Sequence, residues 1–360
     1  MHLVISGYYG FQNTGDEAIL QAMVYQLRRQ EPGVRLTVLS NDPVTTCSNY
    51  EVEGVNRWDM AQIRRVIRQA DGLISGGGSL FQDVTSLNTL IYYTSIVSIA
   101  KFHNKPVFLY SQGVGPLERP ISRLMTRRAL KNVEGTVRDA QSLNFLHRMG
   151  VKGPFSVSPD PVLGSVFAEP SCTWLEEKKL TSEIVTVSLR DWTVSREYKH
   201  GLASALDRLA ESGYTVLFIS MHGVPDTEAA EDIAHLMKTE PLISPSHLSL
   251  EEKAALIESS ALLIGMRLHS LILAANAFVP FAAISYDPKI DSFAKELKQP
   301  VLGDVNDEKE TWDPAKMNAS FEHLSDEDNY AEYCTTVRFL IKEAEKTPGL
   351  ALRYFRKRLD

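Results

Sequence analysis

The stretch His2-Leu-Val-Ile-Ser-Gly-Tyr-Tyr-Gly-Phe-Gln-Asn-Thr-Gly-Asp-Glu17 opens the chain and decides how the rest is read. A short apolar run ends at Ser6, glycines stand at 7, 10 and 15, and Glu17–Arg29 then places Leu20, Met23, Val24 and Leu27 on one helical face. Strand, glycine-rich connection and helix make one βα unit. The alternation continues with candidate strands Leu3–Ser6, Leu36–Leu39, Gly72–Ser75, Val107–Tyr110 and Gly135–Val137, and with shorter helices over Ala61–Ala70 and Ala140–Met149. Strands this short and apolar belong in a parallel sheet covered by helices on both faces.

From Ser158 to Ser182 the periodicity lapses into Pro159, Pro161, Pro170 and a charged Glu-Glu-Lys-Lys, a composition typical of a connection between domains. Strand Ile184–Leu189 restarts the pattern. It is followed by helix Glu197–Glu211, strand Thr215–Ser220, helices Asp226–Lys238 and Leu250–Ser259, and strands Ala261–Ile264 and Phe281–Ser285. The fold class is therefore α/β: two doubly wound, Rossmann-like domains, 1–165 and 183–325, facing across a cleft, with a charged helical tail over 326–360. Ligands in such sheets lie outside the carboxyl ends of the strands.

Composition narrows the partners. With 38 Lys and Arg against 45 Asp and Glu, the net charge of −7 argues against a general grip on nucleic acid. The three cysteines, Cys47, Cys172 and Cys334, fit neither a disulfide framework nor a metal site and favour a reducing compartment, so the expected location is cytoplasmic. No stretch has the length of a transmembrane anchor; the most apolar, Thr89–Ala100, is broken by polar residues. The basic end Arg353–Arg358 is read first as a solvated helix face, the lesser readings being packing across the domain interface or a transient contact with an anionic membrane surface.

Candidate site residues gather at the strand ends. After the first strand, Asn13 and Asp16 follow glycines that let backbone approach a ligand, the alternative for Asp16 being a helix cap. This loop carries neither the Walker ending nor the GxGxxG fingerprint, so nucleotide cofactors are not indicated. Ser75-Gly-Gly-Gly-Ser79 exposes backbone N–H groups at Gly77 and Gly78 that can cradle an anion or crowd a sugar ring, and Asp83 follows. The fifth strand delivers Arg138, whose alternative role is an ion pair with Asp139.

In the second half the same logic places Arg190 and His222 at strand ends. Arg267 and His269 stand inside the apolar run Leu262–Ala275, where unpartnered charge would cost several kcal/mol. Two residues apart on a helix they diverge, so they share a ligand only if the helix starts near His269; that start is predicted. An anion there meets free N–H groups, the helix dipole, a guanidinium and an imidazole. Lys289 adds a cation at the last strand, beside an Asp287 equally suited to cap a helix. No HExxH, DxDxDG or GxSxG spacing occurs, which disfavours a metal or a serine hydrolase.

Ser6-Gly-Tyr-Tyr-Gly-Phe-Gln-Asn-Thr-Gly-Asp-Glu-Ala18, Ser75-Gly-Gly-Gly-Ser79, Val187-Ser-Leu-Arg190, Gly265-Met-Arg-Leu-His269 and Tyr286-Asp-Pro-Lys289 together resemble the polysaccharide pyruvyl transferases, from Leu3 to about Leu297. The likeness is to the CsaB type, which modifies secondary cell wall polymers that anchor S-layer proteins. It implies a GT-B-like fold, with the acceptor on the first domain and phosphoenolpyruvate on the second. It further implies no cofactor beyond that donor, and a lipid-linked acceptor containing N-acetylmannosamine, ketalised at O4 and O6 on the inner membrane face. The donor's carboxylate and phosphate need converging cations, a need met by Arg138, Arg190, Arg267 and Lys289, with His269 as general acid and Asp16 or Asp83 as base. The rival readings are a GT-B glycosyltransferase using a nucleotide sugar and a non-catalytic sugar-binding protein.

Overall fold

A computed structural model describes residues 1–84, 86–167, 171–192, 196–324 and 326–359. Pro170, Ser325 and Asp360, which entered the sequence reading, lie outside the described residues. The chain divides into two compact units, one of Met1–Ser165 with Ile341–Asp360 and one of Val166–Leu340.

The first unit is built on a seven-stranded parallel sheet. Its strands are β1 (His2–Tyr9), β2 (Arg35–Ser40), β3 (Glu53–Asn56), β4 (Gly72–Gly76), β5 (Val107–Gln112), β6 (Glu134–Val137) and β7 (Phe155–Val157), in the order β3-β2-β1-β4-β5-β6-β7. The chain reverses its direction of travel between β1 and β4, which makes that pair of strand ends the natural ligand position of a doubly wound sheet. Helices cover both faces, so Leu3, Val4, Ile5, Leu73, Ile74 and Leu109 are sealed in the core. β3 and β7 escaped the sequence reading because one has a single apolar residue and the other only three positions.

The second unit repeats the plan with six strands, β8 (Ile184–Ser188), β9 (Thr215–Phe218), β10 (Leu242–Ile243), β11 (Ser260–Gly265), β12 (Phe281–Ser285) and β13 (Val301–Asp304), ordered β10-β9-β8-β11-β12-β13. All neighbouring strands are parallel. Local signals set the helices between them: Ser249 and Glu252 form a reciprocal capping box that starts the Leu250–Glu258 helix. The helix predicted near His269 runs over Leu268–Asn276, with Arg267 at its N-cap position.

The tail expected to stand apart as 326–360 is divided instead. Residues through Leu340 belong to the second unit, and Ile341–Asp360 to the first. The reason is apolar: Phe355 is fully buried, and its ring packs so closely on Gly72 that a Cβ there would lie 2.3 Å from it. The tail's cations are also engaged, Arg356 with Glu31 and Arg358 with Glu134.

Candidate active site

In the first unit, β1, β4, β5 and β6 bring their carboxyl ends together. Asn13 caps the Thr14–Gln30 helix, its Oδ1 accepting the Gly15 N–H at 3.1 Å. Asp16 is therefore not the capping residue. It lies in the first turn with its carboxylate toward the triple glycine, where a Cβ on Gly78 would come within 2.9 Å of Oδ1. Gly77 and Gly78 have φ of +95° and +54°, and a Cβ on Gly77 would meet the Tyr9 hydroxyl at 2.8 Å. Close approach and left-handed backbone both require glycine here.

Gln112 fixes the loop by donating from Nε2 to the Gly78 and Gly113 carbonyls at 2.7 and 3.1 Å. Arg138 donates to the Ser79 hydroxyl at 3.3 Å and lies 3.6 Å from Asp139, with 11% of its side chain exposed. Asp139 in turn caps the Ala140–Arg148 helix. Asn13, Asp16, Gly77, Gly78 and Arg138 are thus gathered at one edge.

Asp83 plays a different part. It is buried and accepts the backbone N–H groups of Glu118 and Arg119 at 2.8 and 3.0 Å. Burial alone would raise its pKa, but these backbone bonds outweigh it and hold the carboxyl below its ordinary value. A carboxylate so committed organises a loop.

Sequence reasoning missed Arg57, which follows β3. Its guanidinium is 3% exposed and sits among the rings of Tyr8, Phe11, Trp58, Tyr92 and Tyr93, closest to Tyr92 at 4.3 Å from the centroid. Five aromatic faces replace much of the water a buried cation loses. The signal was present only as scattered aromatics, because the rings come from three separate segments.

In the second unit, Arg190 follows two residues after the end of β8. Its Nη1 donates to the Tyr286 hydroxyl at 2.8 Å, and the guanidinium lies 4.9 and 4.8 Å from the Trp192 and Tyr286 ring centroids. Asp287 caps the Pro288–Glu296 helix and stands 3.2 Å from the Lys289 ammonium. Two cations and two aromatic rings therefore share one stretch of edge.

Next to them, Asp226 was read only as the first residue of a helix. The helix runs over Val224–Ala234, and Asp226 in its first turn is the buried counter-ion of Arg267. Its carboxylate takes Nε at 3.1 Å and one terminal guanidinium nitrogen, and also accepts the Met221 N–H at 3.1 Å. The Gly-Val-Pro-Asp sequence hid this role behind a helix-start signal. Lys253, buried on the Leu250–Glu258 helix, was missed as well; burial pushes its ammonium down to about 8 while Asp226 and Glu252 pull it up. His222 is lowered too, first by burial and then by Arg267, with Asp226 opposing. One carboxylate thus answers to three basic groups. His269 is half-buried in the first turn of the Leu268–Asn276 helix, two residues from Arg267.

A sequence model of the polysaccharide pyruvyl transferase family matches residues 13–288, a span that takes in the sheet edges of both units. The chain belongs to this family. Its members transfer pyruvate in polysaccharide biosynthesis. The pyruvyl transferase chain is 21% identical over 370 residues to the amylovoran biosynthesis protein AmsJ of Erwinia amylovora, covering 84% of this chain and 87% of that one. Among solved structures, a putative UDP-N-acetylglucosamine 2-epimerase from Listeria monocytogenes matches with a TM-score of 0.72 at 11% identity, covering 99% and 96% of the two chains. A glycosyltransferase from Rickettsia africae matches with a TM-score of 0.65 at 10% identity, covering 100% and 98%. These likenesses show the two-domain, Rossmann-like GT-B fold. Among the described residues no group of three or more His, Cys, Asp or Glu is placed to hold a metal ion, and no helix is long and apolar enough to cross a membrane.

Proposed function

We propose that this pyruvyl transferase takes pyruvate from phosphoenolpyruvate and places it as a 4,6-ketal on N-acetylmannosamine of a lipid-linked cell wall polysaccharide precursor, in the manner of the CsaB type. The reading has the enzyme working at the inner face of the cell membrane, on a polymer destined for S-layer anchoring. The observation that carries it is the density of cations at the edge of the second sheet, where His222 feels Arg267, Arg190 and Lys253 together and Arg267 stands at the N-cap of the helix bearing His269. A small dianion with a carboxylate and a phosphate suits such a place.

The chemistry follows from the donor. Protonation of C3 turns the enol methylene into a methyl group, and C2 becomes electrophilic. One sugar hydroxyl adds to C2, with loss of its proton to a base. The second hydroxyl then displaces the phosphate, its proton leaving with phosphate or buffer, so that one diol and one donor give one ketal and one phosphate. His269 supplies the proton to C3 or to the departing phosphate. Asp16 takes the proton from the sugar hydroxyl. Arg267, one edge clamped by Asp226, presents a guanidinium fixed in plane. The half-exposed rings around Arg57 offer flat apolar faces suited to a pyranose. No cofactor beyond the donor is needed for this balance.

The test is phosphate release from phosphoenolpyruvate with and without a synthetic lipid-linked N-acetylmannosaminyl acceptor. Acceptor-dependent release that falls about 100-fold or more in His269→Ala is the expected result. Absence of release together with turnover of a UDP-sugar would replace this reading with that of a glycosyltransferase, and sugar binding without any turnover would replace it with that of a binding protein.

A further inference from the structure

Three helices of the first unit, Met60–Gln69, Leu87–Phe102 and Pro120–Ala129, frame a surface groove of ≈ 1110 Å³. It lies away from the catalytic groups. The Leu87–Phe102 helix ends just before β5 starts at Val107, so its Phe102 end points to the amino edge of the sheet, opposite the edge carrying Gly78 and Arg138. On this helix Ile91, Ser95, Ser98 and Phe102 recur at intervals of four, three and four, one face of a helix, and that face is left uncovered. Phe102 is 82% exposed, an unusual state for a phenylalanine, and Met60 at the start of the neighbouring helix is 38% exposed.

The charge of the groove is one-sided. Arg64, Arg65, Arg68, Lys101, Arg128 and His103 line it, and no Asp or Glu does. Lys101 is spent on structure, its ammonium donating to the carbonyls of Arg128, Ala129 and Lys131. The four arginines are exposed and have no ion-pair partner among the described residues. That concentration stands out in a chain whose net charge is −7.

We infer that this groove seats the protein on the surface of an anionic phospholipid bilayer. Guanidinium groups pair with lipid phosphates, and an exposed aromatic ring beside them enters the boundary between headgroups and acyl chains. The Arg353–Arg358 cluster, the basic stretch more obvious in the sequence, has two of its cations already paired within the first unit. The inference is independent of which sugar accepts pyruvate, since docking needs neither substrate.

Flotation of the full chain with vesicles tests it. Binding is expected to vesicles containing phosphatidylglycerol, not to phosphatidylcholine alone, and is released by high salt. Each arginine near an anionic surface contributes about fivefold, so Arg64→Ala, Arg65→Ala and Arg68→Ala combined weaken binding about a hundredfold. The corresponding triple Lys variant keeps most of the affinity, which separates charge from misfolding. Phe102→Ser lowers binding about tenfold. Failure of the wild type to float, equal binding to neutral vesicles, or an unaffected triple Ala variant overturns the inference. So does full displacement by millimolar inorganic phosphate, which would mark a discrete phosphate pocket.

Discussion

Replacing Asp226 by asparagine keeps the shape of the side chain and removes its charge, which isolates what that charge does. Asp226 has no exposed side-chain surface and engages two nitrogens of Arg267 together with the Met221 N–H. Removing one member of a buried ion pair leaves the other uncompensated and costs about 3–5 kcal/mol. For a unit the size of Val166–Leu340, about 4 kcal/mol corresponds to a fall of roughly 12 °C in melting temperature. Three of the four tryptophans, Trp174, Trp192 and Trp312, lie in this unit, so urea unfolding followed by tryptophan fluorescence reads it selectively. Two further consequences are expected. His222 and Lys253 both owe part of their proton affinity to Asp226, so each titrates lower in the variant. A second change, Arg267→Met, removes the stranded charge and restores part of the lost stability, a coupling measured by a double-mutant cycle. A loss below about 1 kcal/mol in Asp226→Asn, with no restoration in the double variant, refutes the argument that this carboxylate neutralises a buried guanidinium.

Other expectations follow from the same geometry. In Gly113→Ala the new Cβ would stand 2.6 Å from the Ser79 hydroxyl and 3.0 Å from Arg138 Nη2, so kcat/KM should fall by about ten- to a hundredfold; wild-type kinetics would remove Arg138 from the site. Asp83→Asn weakens the bonds to Glu118 and Arg119 and should cost about 1–3 kcal/mol with the acceptor KM unchanged, whereas a raised KM at full stability would return Asp83 to the substrate. Asp16→Asn should leave melting nearly unaltered and reduce turnover, and full activity would eliminate it as the base. His222, lowered by burial and by Arg267, should show its NMR titration below pH 6.5. Because the unfolded chain then takes up the proton first, this group makes stability fall as pH drops from 6.5 toward the folded value. A midpoint at or above 6.5 contradicts that.

The sequence made the architecture legible where a strand is buried on both faces. β1, β4, β8, β11 and β12 read as largely apolar runs because helices cover them on either side. β3, β7, β10 and β13 are the edge strands of the two sheets, two to four residues long and only partly buried, so they carry no continuous apolar run. The candidate site shows a similar division. Glycines and cations at strand ends could be found, since topology alone puts strand ends together, and Asn13, Asp16, Gly77, Gly78 and Arg138 do share an edge. What could not be read was which groups already have partners. Asp226 lies 41 residues before Arg267, and their pairing depends on two strands and two helices folding first. Likewise Asp83 looked available because the N–H groups it serves belong to a loop 35 and 36 residues later.

Phe355 packs on Gly72 inside the first unit, yet the whole of the second unit is encoded between them. During synthesis, β1 to β7 leave the ribosome early but cannot close their core until residue 355 has also emerged. The first unit is thus begun first and finished last, and the entire second unit has time to fold while Gly72 still faces water. Loss of the final helix would strip the core of the first unit while leaving the second one whole, so a single late stop codon would separate the two sheets more cleanly than any change at the boundary near Ser165.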